Sequence, residues 1–247
     1  MKNRFGKLCV FMLLFFKITI LNAQEEKFLN YHASADFVSR YVWRGTDFGN
    51  APAIQPSMNF SLKSFTIGAW GNYSLSSNTG GMELDLYAGY DFDFGLNLTF
   101  TDYYFPGEVQ MADTLGIISS QRKGSYFDYD NSHTFEFAIS QEIKGFQFML
   151  AYYLNQDDDI YLEAGYSFND NISFFIGAGN KSYTNEELAN KTPELDGSYS
   201  DEFMLVNLGI SVQKDLEITD KFSLPVGSTI IINPYTEQVF LVFNISI

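Results

Sequence analysis

The stretch MELDLYAGYDFDFGLNLTF, residues 82–100, decides the fold. Every second residue from Met82 to Phe94 is apolar or aromatic, and the alternate positions carry four Glu and Asp residues. A period of two predicts a β-strand with one apolar and one acidic face. The alternation resumes after Gly95, which predicts a hairpin with a very short connection. Two folds remain open at this point. In a soluble sandwich the apolar face packs on a second sheet, whereas in a membrane barrel it faces lipid.

The N-terminus predicts a secretory signal peptide. A positively charged start is followed by an apolar run from Leu8 to Ile20, and Ala23 supplies a small residue at the expected cleavage point. The run is 13 residues long, which is shorter than the ~20 residues that a membrane helix needs. A retained membrane anchor is the alternative. We therefore expect residues 1–23 to be removed and residues 24–247 to form one exported domain.

The composition argues against several classes of function. Without residues 1–23 the chain keeps 11 Lys and Arg against 30 Asp and Glu, a formal charge of −19, so it repels nucleic acid. The single cysteine, Cys9, lies in the expected signal peptide, which excludes disulfides and thiol chemistry from the mature protein. Sixteen Tyr and 25 Phe against two His suit strands better than acid–base catalysis. We expect neither an enzyme nor a cofactor.

The same alternation recurs along the whole chain and predicts twelve strands. They begin near residues 31, 58, 65, 82, 96, 135, 146, 160, 172, 204, 222 and 239. The first is expected to run from Tyr31 to Trp43. The last alternates up to Ile247, as expected if it closes against the first. No segment with the period of a helix interrupts them.

The connections between these strands alternate in length. The short ones are Lys63–Ser64, Gly95, Lys144–Gly145 and residues 169–171, with residues 214–221 the one longer case. The intervening connections are mostly longer, up to the 28 residues from Phe105 to Ser132. This segregation is typical of outer-membrane barrels, and a soluble sandwich, the alternative, has no reason to show it. We predict an all-β fold: an antiparallel transmembrane β-barrel of about twelve strands, with short periplasmic turns and longer extracellular loops.

Charged residues are absent from the apolar tracks of the predicted strands, as lipid requires, since a charge at the bilayer midplane costs ~2–4 kcal/mol. The opposite tracks are expected to line the lumen. The candidate pore-lining residues are Asp36, Arg40, Lys63, Glu83, Asp85, Asp91, Glu136, Glu142 and Glu163. An open lumen with this excess of carboxylates attracts cations, which predicts a passive channel for small, preferentially cationic or neutral solutes. The alternative is a closed structural or surface-interaction barrel whose interior charges pair with one another. The loop from Phe105 to Ser132 is long enough to fold inward.

The start of the first long loop contains a candidate anchor, Trp43, Arg44 and Gly45. Arg44 is expected to fork onto a carboxylate. Trp43 also belongs to a set of aromatic residues at predicted strand ends, where interfacial aromatics occur in membrane proteins. The others in that set are Tyr73, Tyr104 and Tyr152.

Catalytic and metal sites have weak support. His32 with Ser34, and Ser132 with His133, resemble pieces of a nucleophile–base pair, but they are expected at opposite rims and therefore do not converge. The acidic run Asp157–Asp159 lacks the spaced ligands and turn glycine of a calcium loop, so a solvated loop is the favoured interpretation. We expect no catalytic residue and no metal site.

One segment resembles a known family. SADFVSRYVWRGTDFGNAPAIQPSM, residues 34–58, followed by IGAWGN, ELDLYAGYDF and YYFPG, is similar to the TorF-like porin family, also named Gcw_chp, of bacterial proteins of unknown function. The match is good from Ser34 to Gly107 and thin afterwards, and Gly71, Asn72 and Tyr73 depart slightly from the family pattern. The resemblance implies an outer-membrane β-barrel and suggests a porin role, with no catalytic residues to carry over. We expect outer-membrane lipid, lipopolysaccharide, the barrel-assembly machinery and small solutes as partners.

Overall fold

The computed structural model describes residues 29–76, 82–106, 109–112, 118–122, 126–127, 132–155, 159–184 and 202–247. In chain order the strands are β1 (Leu29–Val38), β2 (Val42–Trp43), β3 (Thr46–Asp47), β4 (Ala53–Leu62), β5 (Phe65–Ser74), β6 (Glu83–Asp91), β7 (Leu96–Tyr104), β8 (Val109–Ala112), β9 (Ile118–Arg122), β10 (His133–Ile143), β11 (Phe146–Tyr153), β12 (Ile160–Asn169), β13 (Ile172–Gly179), β14 (Met204–Thr219), β15 (Phe222–Asn233) and β16 (Gln238–Ser246). A short 3₁₀ helix covers Lys181–Thr184. None of the described helical segments is long and apolar enough to span a membrane.

Twelve of these strands form a closed antiparallel barrel, which confirms the predicted fold class and strand number. Each wall strand pairs with its neighbours along the chain, and β2–β3 and β8–β9 form two separate small hairpins. The last strand closes against the first, with Phe37 opposite Ile245. Because the strand number is even, both ends of the wall lie at the rim of the short turns, here called the short-turn rim. The opposite end is the long-loop rim.

The outer face of the barrel is apolar, as the period of two predicts. Large side chains such as Phe60, Leu150 and Ile176 are each more than two-fifths exposed. No second sheet covers this face among the described residues, which distinguishes the barrel from a sandwich.

One acidic residue interrupts the outer face close to the long-loop rim. Asp102 lies opposite Leu86 and Phe135, on the outward side of β7, and forms an ion pair with His133 at 2.6 Å. The second ring nitrogen of His133 lies 2.8 Å from the Tyr126 carbonyl oxygen. The prediction of a charge-free outer face is therefore wrong at this position. The carboxylate is accommodated because it is paired and covered.

The hairpin β14–β15 is longer than its neighbours. Pairing of β13 with β14 ends at Val212, whereas β14 continues to Thr219, opposite Phe222. The connection is therefore the two residues Asp220 and Lys221, not the expected longer loop 214–221. The strands persist because the apolar alternation continues through Leu216 and Ile218. This ribbon projects beyond the wall at the short-turn rim.

The first strand is shorter than predicted, and its end determines the interior of the barrel. β1 ends at Val38 instead of continuing to Trp43, and residues 39–52, the first loop, leave the wall. Arg44 and Gly45 adopt positive φ angles of 49° and 82°, which make the tight turn between β2 and β3. Tyr41 and Trp43 consequently lie inside the barrel. Trp43 is therefore not an interfacial aromatic.

Candidate functional site

The half of the lumen nearer the long-loop rim is packed. The first loop occupies it, and inward-facing side chains around most of the wall are less than one-tenth exposed. They include Ala53, Asn72, Glu83, Tyr103, Glu136, Tyr153, Tyr161, Val206, Asn233 and Phe240. We refer to the first loop together with these wall residues as the plug. These described side chains and the first loop therefore fill this half of the lumen.

Arg44 lies at the centre of the plug. Its guanidinium donates to both carboxylate oxygens of Glu136, at 2.5 and 3.0 Å, and to the Tyr183 hydroxyl at 2.7 Å. It also stacks over the rings of Trp43 and Tyr161, at 4.3 and 4.6 Å from their centroids. The Arg44 and Glu136 side chains are only 7% and 3% exposed. This two-pronged geometry is the one that arginine favours with carboxylates.

Tyrosine residues complete the polar contacts around this ion pair. The Tyr103 hydroxyl donates to Glu136 at 3.0 Å. Burial raises the pKa of the Tyr183 phenol to about 12, so the phenol stays neutral and its oxygen accepts from Arg44. The Tyr183 ring stacks on Tyr153 at 5.8 Å. The charges of the ion pair are therefore surrounded by hydrogen bonds and rings, as a buried pair requires.

Gly45 fits the plug because it has no side chain. Its φ of +82° favours glycine, and an added Cβ would lie 1.9 Å from the Val206 carbonyl oxygen. The Gly45 carbonyl accepts a hydrogen bond from the Asn233 side chain at 3.1 Å. The loop turn is thus held against β14 and β15, while Arg44 holds it against β10.

A second acidic position in the plug has no cationic partner. Glu83 accepts a hydrogen bond from the Tyr41 hydroxyl at 2.8 Å, and Asp85 follows it on the same inward-facing track of β6. Among the residues that the structure describes, no Lys or Arg forms an ion pair with either carboxyl group. Glu83 and Asp85 therefore lie in the plug without a cationic partner among the described residues.

Glu163 lies at the boundary between the plug and the rest of the lumen. It accepts hydrogen bonds from the Tyr161 hydroxyl at 2.5 Å and from the Asn207 amide at 3.1 Å. Asn207 also donates to the Tyr161 hydroxyl at 2.9 Å. These bonds link two wall strands, β12 and β14, and the Tyr161 ring is also one of those that Arg44 stacks over.

The half of the lumen nearer the short-turn rim is wider and polar; we call it the vestibule. Its inward-facing side chains are mostly half-buried and small or polar. A cavity of about 410 Å³ lies along one side of it. The polar residues of that lining include Asp91, Asn97, Ser140, Glu142, Gln147 and Glu163. The vestibule therefore has an acidic wall.

The candidate pore-lining residues fall into three groups. Glu83, Asp85 and Glu136 lie in the plug, Asp36, Asp91, Glu142 and Glu163 lie on the inner face below it, and Arg40 and Lys63 lie off the wall. Arg40 belongs to the first loop and pairs with Asp47 at 2.9 Å. Lys63 lies in the exposed turn between β4 and β5. The structure thus separates the acidic residues into a buried set and an accessible set.

No group of three or more potential metal ligands occurs among the described residues. Asp157 and Asp158, part of the acidic run, lie outside the described residues, and Asp159 is buried with its carbonyl bonded to the Tyr153 amide. His32 and His133 lie at opposite rims, so they do not form one site.

The comparisons with known proteins agree with the residue pattern. A family model described as Gcw_chp, bacterial protein of unknown function, matches residues 25–211. The chain belongs to this family. No curated protein matches this Gcw_chp protein.

Two solved structures match this chain over most of its length, with low TM-scores. One is a loop L8 deletion mutant of OmpT, an outer membrane protein of Vibrio cholerae, with 9% identity, a TM-score of 0.33, and coverage of 89% of this chain and 98% of that chain. The other is the β domain of the Bordetella autotransporter BrkA, with 14% identity, a TM-score of 0.30, and coverage of 87% and 97%. Similarities this distant concern the fold alone. The barrel itself follows from the strand pairing of this Gcw_chp protein.

The inward course of the first loop is the main feature that the sequence analysis missed. The loop from Phe105 to Ser132 was the expected candidate for folding inward, yet its described Tyr126 contacts His133 on the outer side. A signal for the first loop is present: Tyr41, Trp43 and Phe48 are too apolar for a solvated loop.

Proposed function

We propose that this Gcw_chp protein is an outer-membrane channel for small solutes, with a preference for cations, and that the first loop is its gate. The observation that carries the proposal is the construction of the barrier. The wall encloses a polar vestibule, and the passage is blocked by one loop whose principal polar attachment is the ion pair of Arg44 with Glu136. A single attached segment can leave the lumen without any change in the wall.

The cation preference is attributed to the vestibule. Asp91, Glu142 and Glu163 present carboxylates toward the lumen, and no Lys or Arg is part of the same cavity lining among the described residues. Carboxylates on a low-dielectric wall concentrate cations and repel anions. Released solutes would therefore be positively charged or neutral.

Loop removal tests this proposal. Val38 and Ala53 are direct partners in the pairing of β1 with β4, so residues 39–52 can be replaced by an Asn-Gly turn without changing the register. In planar bilayers under a KCl gradient, the wild-type protein is expected to be closed for most of the time. The loop-deleted protein is expected to show discrete, cation-selective steps. Anion selectivity would contradict the proposed role of the vestibule.

A second candidate is a closed barrel that acts as a structural or surface-interaction protein through its long loops. The packed plug favours it, because buried side chains surround the first loop on most sides. Under this alternative, the loop-deleted protein remains silent in bilayers although it is folded and inserted. Heat-modifiable migration on a gel reports barrel folding. It is the control that shows whether a protein without conductance is nevertheless folded.

The setting of this proposal is the bacterial outer membrane. The apolar outer face requires lipid, and the exposed rings and aliphatic side chains there would contact lipid and lipopolysaccharide. Export through a signal peptide, residues 1–23, and insertion by the barrel-assembly machinery belong to the same proposal. We propose no catalytic role, since His32 and His133 are separated by the length of the wall.

A further inference from the structure

A cavity of about 240 Å³ lies between the first loop and the wall, at the long-loop side of the plug. We name it the rim cavity. Its lining includes Trp43, Phe48, Glu83 and Tyr103, with Phe105 and Ser182. Phe105 and Ser182 are exposed, so the cavity opens toward the long-loop rim. We propose that the rim cavity binds a small organic cation, an alkylammonium or quaternary ammonium group, with Glu83 as its counter-ion.

The first observation is the density of aromatic rings. Phe48 lies 5.4 Å from Tyr41 and 6.2 Å from Trp43, between ring centroids. Trp43 lies 5.6 Å from Tyr103, which lies 6.2 Å from Tyr153. The rings are tilted or edge-on to one another, so several faces and edges are presented to one small space. A cation within about 6 Å of such faces is attracted by their quadrupoles, most strongly by Trp.

The second observation is a pair of buried carboxyl groups, Glu83 and Asp85, with no cationic partner among the described residues. Glu83 lines the rim cavity, and its partner Asp85 is buried with one carboxylate oxygen, Oδ1, that has no hydrogen-bond partner among the described residues. No Lys or Arg among the described residues forms an ion pair with Glu83 or Asp85, whereas Glu136 is paired with Arg44. A buried carboxylate beside aromatic rings favours a cation over a neutral ligand.

The protein uses the same chemistry for one of its own side chains. The Arg44 guanidinium lies over the faces of Trp43 and Tyr161 with the Glu136 carboxylate beside it. The rim cavity also combines rings with a carboxyl group, and it shares Trp43 and Tyr183 with the surroundings of Arg44. Its volume corresponds to roughly eight water molecules at ~30 Å³ each. That space suits a trimethylammonium compound and is too small for an oligosaccharide.

The binding proposal does not rest on conduction. Tryptophan fluorescence reports ligand binding directly, because Trp43, one of the two Trp residues of the protein, lines the cavity. In full-length Trp70→Phe protein, Trp43 is the one remaining Trp. Choline is the probe, and 3,3-dimethylbutan-1-ol is its neutral isostere. We expect a saturable change of Trp43 emission with choline and at least tenfold weaker binding of the isostere. Equal binding of the two probes, or no saturable change in folded protein, would overturn the proposal.

Two variants locate the site. Glu83→Gln keeps the shape of the side chain and is expected to weaken choline binding at least tenfold. Phe48→Leu removes a ring from the first loop, outside the wall strands, and is expected to weaken choline binding several-fold. Glu217→Gln, on the exposed ribbon, is the charge-matched control and is expected to bind as the parent does. If the Glu83→Gln protein does not fold, the Phe48→Leu variant provides the test. An unchanged choline affinity in that variant would refute the proposed site. A channel that conducts but does not bind choline would refute this inference alone.

Discussion

Replacing Arg44 with Gln is expected to release the first loop from the lumen. The substitution leaves the Glu136 carboxylate, 3% exposed, without its cation. Removing one partner of a buried ion pair costs about 3–5 kcal/mol, because the remaining charge is desolvated and unpaired. Here the loop can leave, which lets water reach Glu136. The docked loop should therefore be destabilised, relative to the released loop, by most of that free energy. This corresponds to a shift of roughly two to three and a half orders of magnitude in the docking equilibrium.

Two measurements report the released loop. In planar bilayers, the open probability of the Arg44→Gln channel is expected to rise toward that of the loop-deleted protein. In detergent, acrylamide quenching of Trp43, measured in the Trp70→Phe background, is expected to increase, because Trp43 leaves the cluster of rings around Tyr103 and Tyr183. The Lys221→Gln variant removes a positive charge from an exposed turn and is the control.

The double variant Arg44→Gln with Glu136→Gln sharpens the test. It removes both charges and keeps groups that can hydrogen-bond, so no unpaired charge remains in the plug. We expect the double variant to lie closer to the wild-type protein than either single variant, in both open probability and quenching. The reasoning is refuted if Arg44→Gln protein, shown to be folded, keeps the wild-type quenching and stays closed.

Three further predictions concern other positions. Gly45→Ala is expected to undock the loop as Arg44→Gln does, since its Cβ would meet the Val206 carbonyl at 1.9 Å, and wild-type quenching of Trp43 would contradict this. Glu163→Gln in the loop-deleted protein is expected to reduce the cation preference, seen as a reversal potential closer to zero; an unchanged potential would mean that other carboxylates set the selectivity. His133→Gln is expected to destabilise the barrel by about 1–3 kcal/mol in urea unfolding, because Asp102 loses its partner on the outer face, and an unchanged midpoint would show that this carboxylate is solvated.

The wall of the barrel could be predicted because its signals are local. Alternation from Met82 to Phe94 identifies a strand and its two faces, and a turn such as Gly95 identifies the hairpin. Closure of the last strand against the first was also predicted, since the last strand keeps the same alternation, whereas the register that places Phe37 opposite Ile245 was not. The ends of elements were less accurate. β1 stops at Val38 although alternation continues to Trp43, because the chain is drawn into the lumen by contacts with distant strands.

The sequence predicted which residue types face the lumen, but it did not predict which of them contact one another. The inward track of carboxylates is visible in the sequence, but alternation does not distinguish Glu136, paired with Arg44, from Glu163 beside the vestibule. Both occupy inward positions of wall strands, β10 and β12, which are separated by β11. A carboxylate is solvated or buried according to whether the first loop fills the lumen at the same level along the barrel axis. The closed barrel decides this, not the local sequence.

The sequence by itself determined the strands, their apolar and polar faces, the approximate strand number and the segregation of short and long connections. Each of these depends on residues a few positions apart. Only the tertiary structure decided that the first loop fills the lumen. Arg44 meets Glu136 across 92 residues and Tyr183 across 139, and the Gly45 carbonyl meets Asn233 across 188. Such partners are brought together by closure of the wall, because a loop can be held inside a barrel only once the opposite strands surround it.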